Sequence, residues 1–140
     1  MQPRVDLVSL GVRSVDASRS FYVDGLGWPV HREVRGEVLF IQANHGLILA
    51  LWDAGQMQAE AATDPPSGAP CITLSHNLVS AAHVDLVMAE AERAGAAIIA
   101  APKTQPWGGY TGYFADPDGY RWEVAFNPGW AVDGGGNVTL

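Results

Sequence analysis

Cysteine is nearly missing from this chain, and basic residues are scarce. Cys71 stands alone, so neither an intrachain disulfide nor a Cys-x-x-Cys zinc site can form. Eight Lys and Arg face fifteen Asp and Glu, a net charge of −7, and the basic residues are scattered rather than striped. Nucleic acid and anionic membrane are therefore poor partners. Apolar runs such as residues 46–52 fall far short of the roughly 20 residues that span a bilayer. The opening Met1-Gln2-Pro3-Arg4 starts no secretion signal, so the expected compartment is the cytoplasm. For the same reason Asn137-Val138-Thr139, which fits a glycosylation acceptor, carries no weight.

What is present is enough apolar material for a core. At 140 residues and 48% hydrophobic, the chain fits one globular domain or two small modules that share a core.

Residues 107–128, WGGYTGYFADPDGYRWEVAFNP, organise the rest. In Asp116-Pro117-Asp118-Gly119, Pro presets φ, Asp bonds its own backbone and Gly closes a type I turn. Aromatic and β-branched residues on either side, 110–114 and 120–126, predict two antiparallel strands. Along the second, Trp122, Val124 and Phe126 alternate with Arg121, Glu123 and Ala125, which leaves one acid on the second face. Glu123 reads as a cleft carboxylate, with a solvated edge residue or a structural partner of Arg121 as the alternatives.

Residues 6–12 alternate as a half-buried strand, with Leu7, Ser9 and Gly11 on one face and Val8, Leu10 and Val12 on the other. Asp16 is the expected N-cap of a short helix carrying Phe21, Tyr22 and Leu26, ended by Gly25 and Gly27. Strands follow at 30–34, 37–42 and 47–52, the last two joined through Asn44-His45-Gly46. Residues 54–70, rich in Ala, Gln, Pro and Gly with Pro65-Pro66 inside, predict a linker.

The pattern then repeats. Residues 71–77 alternate as the first strand does: Val8, Ser9 and Leu10 fall on Ile72, Thr73 and Leu74, and Asp16 falls on Ser80. The helix from Ser80 sets Val84, Val87, Met88 and Ala91 on one face and stops at Gly95. A strand at 97–101 and the hairpin complete a second βαβββ unit. Each copy is too small to bury its own sheet face. The expected organisation is a first module at 1–53, a linker at 54–70, a second module at 71–128 and a fraying tail at 129–140, with Trp130 able to dock.

A two-fold βαβββ repeat ending in YFADPDGYRWEV resembles the vicinal oxygen chelate superfamily, which includes glyoxalase I, bleomycin- and fosfomycin-resistance proteins and extradiol dioxygenases. The matching pieces are LGVRSVDASRSFYVDGLGW at 10–28, GLILALW at 46–52, AERAGA at 91–96 and the DPDG turn, so that the resemblance covers residues 5–128. It implies an α+β fold with curved mixed sheets around a cleft and helices outside. It also implies a four-ligand metal site, at positions that here hold Leu7, Cys71, Ala50 or Leu49, and Glu123. Leu and Ala cannot ligate, and a Cys with a Glu falls short of a catalytic zinc or iron set. No cofactor is expected, and a divalent metal only through an unusual Glu123 and Cys71 site. His31, His45, His76 and His83 show no metal spacing; His76 shares the Ile72 and Leu74 face and reads as a core-edge histidine.

Strand parity places Ser9, Phe40, Gln42, Trp52, Thr73 and Arg121 on the Glu123 face as ligand contacts, with Gly11, Ile48, Ser75 and Ala125 beside them. Trp107 and Tyr110, separated by two glycines, read as a flap over the opening or as strand-end packing. Cys71 reads as a small buried thiol rather than a nucleophile. The expected function is a cytoplasmic homodimer that binds a small, partly aromatic organic ligand without the usual metal. The alternative is a lyase, isomerase or dioxygenase-type enzyme that uses Glu123 as ligand or base.

Overall fold

In the computed structural model, residues 5–61 and 72–139 are described, and the chain divides into two compact units, residues 1–67 and 68–140. In the first unit, β1 (Leu7–Val12), β2 (Val30–Val34), β3 (Val38–Asn44) and β4 (Leu47–Asp53) form one sheet in the order β1-β4-β3-β2. In the second, β5 (Thr73–Asn77), β6 (Ala97–Thr104), β7 (Tyr110–Ala115) and β8 (Arg121–Phe126) repeat that order as β5-β8-β7-β6. Each sheet is mixed: the first and last strands of each unit pair in parallel, and the other pairs are antiparallel. The expected α+β architecture of two βαβββ modules is what the chain adopts.

The first helix, α1 (Val15–Arg19), starts two residues earlier than an Asp16 cap would have it. Ser14 is extended and its hydroxyl accepts from the Ala17 N–H at 3.2 Å, so Asp16 falls in the first turn instead, where an acid favours the helix dipole. The helix continues as a π-helical segment, Ser20–Gly25. This wider turn brings Phe21 and Tyr22 together inward, both fully buried with rings 4.9 Å apart. The core of this unit is the Leu10, Val12, Leu39, Ile41, Leu49 and Leu51 set with Val15, Phe21 and Tyr22.

The stretch expected to be a linker begins with a helix, α2 (Ala54–Ala61). Asp53 Oδ1 accepts the Gln56 N–H at 3.0 Å, a cap hidden at the end of a strand, and Ala, Gln, Met and Glu are good helix formers. It buries no residue. Its Met57 lies over Gly11, whose added Cβ would stand 3.3 Å from the Met57 sulfur. The rest of the expected linker, with Pro65-Pro66, lies outside the described residues, as does Cys71 at the start of the second module.

In the second unit the local signals are matched closely. Helix α3 (Ala81–Arg93) is capped by Ser80, which accepts from the His83 N–H, and Gly95 follows its end with φ of +100°. Val84, Met88 and Ala91 are buried against the sheet, where Phe114 and Trp122 stack at 6.1 Å. Gly112 lets the helix come close: a Cβ there would meet Pro102 at 3.0 Å and Met88 at 3.1 Å. The tail differs from the fraying segment expected. Its β9 (Ala131–Val132) and β10 (Val138–Thr139) pair as a small hairpin, because the Asp133 carboxylate accepts the Gly135 and Asn137 N–H groups at 2.8 and 2.9 Å. Trp130 stays 41% exposed.

Candidate functional site

The 116–119 turn sets the register of everything around Glu123. Asp116 accepts the Gly119 N–H through its carbonyl, and its Oδ1 accepts the Asp118 and Tyr120 N–H groups at 3.0 and 2.9 Å. Gly119 takes φ of +91°, which only glycine adopts freely. Closed this way, the hairpin pairs Ala115 with Arg121, Tyr113 with Glu123 and Thr111 with Ala125. On the other side of β8, Thr73, Ser75 and Asn77 stand beside Arg121, Glu123 and Ala125.

Directly opposed residues on neighbouring strands point to the same side of a sheet, so Ser75, Glu123 and Tyr113 form one row across three strands. The Gly112 contacts put Met88 of α3 on the other side, together with Phe114, Trp122 and Val124. The Glu123 row therefore occupies the helix-free face. Ser75 donates its hydroxyl to Glu123 Oε2 at 2.8 Å, and Tyr113 donates to Oε1 in a short hydrogen bond. Both carboxylate oxygens are engaged. Among the described residues Glu123 makes no ion pair with Arg121, so the structural pairing considered for those two is not formed.

The bond to Glu123 holds the Tyr113 phenol above its ordinary value, with burial and the carboxylate charge adding to the effect. A phenol whose folded-state value is raised binds its proton more tightly in the native protein. The stability this contributes is complete below the ordinary tyrosine value of about 10 and is lost as pH rises through the raised one. A phenolate absorbance titration should show late-ionising tyrosine, and Glu123→Gln should return Tyr113 toward its ordinary value. Tyr113 ionising at the ordinary value in the unsubstituted protein would reject the pairing. Tyr110 provides a second late transition, since its hydroxyl donates to Asp85 at 2.9 Å and is raised by that bond; Tyr113→Phe separates the two.

Of the residues expected on this face, Thr73 and Arg121 lie in the rows beside Glu123. Tyr110 does not. It is an odd number of positions from Tyr113, and its bond to α3 puts it on the helix side. Trp107 is 55% exposed, in a turn closed by the Gly108 N–H on Gln105 at 2.9 Å, with its ring across Gly109. His76 lies on the helix side as parity placed it, and burial lowers its imidazole below the ordinary value. In the first unit, Ser9, Phe40 and Ala50 share one row, with Trp52 beside Gly11 in the next. Gln42 is on that face too, but its amide is spent on the β3–β4 turn, donating to Asn44 and Leu47 carbonyls at 2.5 and 2.9 Å. Trp52 Nε1 is buried, without an acceptor among the described residues.

Sequence reasoning missed Tyr113. Strands folded symmetrically about 116–119 would set Tyr113 against Trp122; the Asp116 N–H bonds the Tyr120 carbonyl instead, which shifts the pairing by one residue and brings Tyr113 to Glu123.

A metal site is not supported by this donor set. Glu123 is surrounded by hydroxyls, and the positions of Leu7 and Ala50 offer no ligand atom. Among the described residues no three His, Cys, Asp or Glu side chains converge, whereas catalytic zinc or iron takes at least three protein ligands. Cys71 is outside the described residues.

The sequence matches the family described as the Glyoxalase/Bleomycin resistance protein/Dioxygenase superfamily over residues 4–124. A glyoxalase-related enzyme from Fulvimarina pelagi is similar at 34% identity, covering 99% of this chain and 98% of its own, with a TM-score of 0.90. A glyoxalase/dioxygenase from Nostoc punctiforme is 26% identical over 90% of this chain and 92% of its own, with a TM-score of 0.66. A lactoylglutathione lyase from Agrobacterium tumefaciens, 23% identical over 91% and 96%, shares the fold at a TM-score of 0.70. Among curated proteins no match is found.

Proposed function

The chain belongs to the Glyoxalase/Bleomycin resistance protein/Dioxygenase superfamily, and from that premise we propose that it is a cytoplasmic, homodimeric binding protein for a small, partly aromatic organic ligand. Recognition centres on Glu123, without the metal its family often uses. The observation that carries this reading is the direction of the hydrogen bonds in the Ser75, Glu123 and Tyr113 row. Each hydroxyl has one proton, and each gives it to the carboxylate. What remains on all three groups is lone pairs. Such a row accepts and does not donate, so it selects a ligand with N–H, O–H or ammonium groups.

The helix-free position supports the reading, since a half-buried carboxylate with both oxygens engaged is held in one orientation before anything binds. On the corresponding face of the first unit, Phe40 and Trp52 offer flat apolar surface. The dimer follows from open sheets. The edge strands β1 and β2 leave backbone unpaired beside exposed Leu7 and Val34, a surface that proteins cover.

Native mass spectrometry and elemental analysis of protein purified without chelator test the proposal together. The expected result is a dimer carrying a substoichiometric or stoichiometric organic adduct with donor groups, and no metal in proportion to protein. Stoichiometric zinc, nickel, manganese or iron would overturn the metal-free reading, and a monomer at micromolar concentration would overturn the dimer.

A further inference from the structure

On the other side of the second sheet, α3 and β6 leave a groove of about 350 Å³, within the range of small-molecule sites. We propose that this groove is a second binding site, distinct from the Glu123 face, for a hydrophobic organic cation: an ammonium group on a compact apolar body.

Its walls explain both halves of that ligand. Met88, Ile98 and Pro102 give an apolar floor, and the small side chains of Ala89 and Ala101 leave the space open. Ile98 is 38% exposed, so apolar surface remains for a ligand to cover. The polar lining residues are Asp85 and Glu92, both acids. Seven positions apart on α3, they lie on one side of the helix about 10 Å apart along its axis, one toward each end of the floor. Asp85 is fixed through one oxygen by the Tyr110 hydroxyl, and its other oxygen has no partner among the described residues. The Glu92 carboxylate has no ion pair or hydrogen bond among the described residues. No lining residue is basic, and the net charge of −7 draws cations toward the protein.

A protein strand is a poor occupant. The β6 edge breaks register between Ala100 and Lys103, and Pro102 within that break has no N–H to offer an added strand. A compact cation needs neither.

The test uses the full chain, isotopically labelled, titrated with hexyltrimethylammonium below its micelle concentration, with 1-hexanol and hexanesulfonate as neutral and anionic controls. Saturable amide shifts confined to Ala81–Arg93 and Ala97–Thr104 are expected for the cation, weakening as salt rises. The Asp85→Asn/Glu92→Gln double variant should lose about tenfold in affinity, and its amide at 85 still accepts from Tyr110. Ala89→Leu fills the groove from an exposed helical position and should abolish the shifts. Glu123→Gln should leave this binding unchanged, which separates it from the site proposed above. Equal binding of 1-hexanol, shifts centred on Ser75, Tyr113 and Glu123, or no saturable shift would each overturn the proposal.

Discussion

Glu123→Gln is expected to weaken binding of the co-purifying ligand by about tenfold to a hundredfold, because hydrogen bonds to a charged acceptor contribute roughly 1.5 to 3 kcal/mol. The fold should barely notice. The amide keeps the size of the side chain, one oxygen still accepts, and the hydroxyl facing the new NH₂ turns to accept instead, as hydroxyls can. Stability should therefore change by no more than about 1 kcal/mol. Glu123→Ala behaves differently, since it leaves the Ser75 and Tyr113 hydroxyls without their acceptor, and should cost about 1 to 3 kcal/mol as well as the affinity. Calorimetric titration and thermal melts of the two variants separate recognition from structure. If Glu123 only ties the three strands together, the glutamine variant will melt lower and bind as before, and the proposed site is wrong.

Asp116→Ala should have the largest effect on stability of any single change outside the apolar core. Asp116 is only 5% exposed, and its Oδ1 holds the Asp118 and Tyr120 N–H groups. Losing that acceptor strands two donors in a turn where water has little access, at about 2 to 4 kcal/mol. For a chain of this size the melting temperature should fall by roughly 8 to 15 °C. Asp116→Asn keeps an acceptor oxygen and should recover most of the loss. The turn also fixes which residue meets Glu123, so the alanine variant should lose ligand affinity without any change at the site itself. A drop within about 0.5 kcal/mol, the range of ordinary surface substitutions, would show that Pro117 and Gly119 hold the turn unaided.

The sequence by itself determined what depends on neighbours a few residues apart. The DPDG turn, the Ser80 cap, the Val84, Met88 and Ala91 stripe and the side of β8 that Glu123 takes are all local, because backbone propensity and strand parity act over two to four positions. The repeat was legible for the same reason, since equal local patterns recur at equal spacing. Where a local rule had two solutions, the chain took the unexpected one: Ser14 rather than Asp16 as cap, Asp53 as the start of a helix in a supposed linker, and Asp133 as the acceptor that closes the tail hairpin. Tyr110 shows the limit of reading proximity as function, because a one-residue step in a strand moves a side chain to the opposite face, and Asp85 receives it there. Only the tertiary structure decided which hydroxyls reach Glu123. Ser75 lies 48 positions away on a parallel strand, and no pattern within either strand encodes that partner: the register is set by how the whole sheet packs under α3, with Gly112 giving the helix room. The α3–β6 groove has the same origin, a space left where small side chains from two distant segments come together.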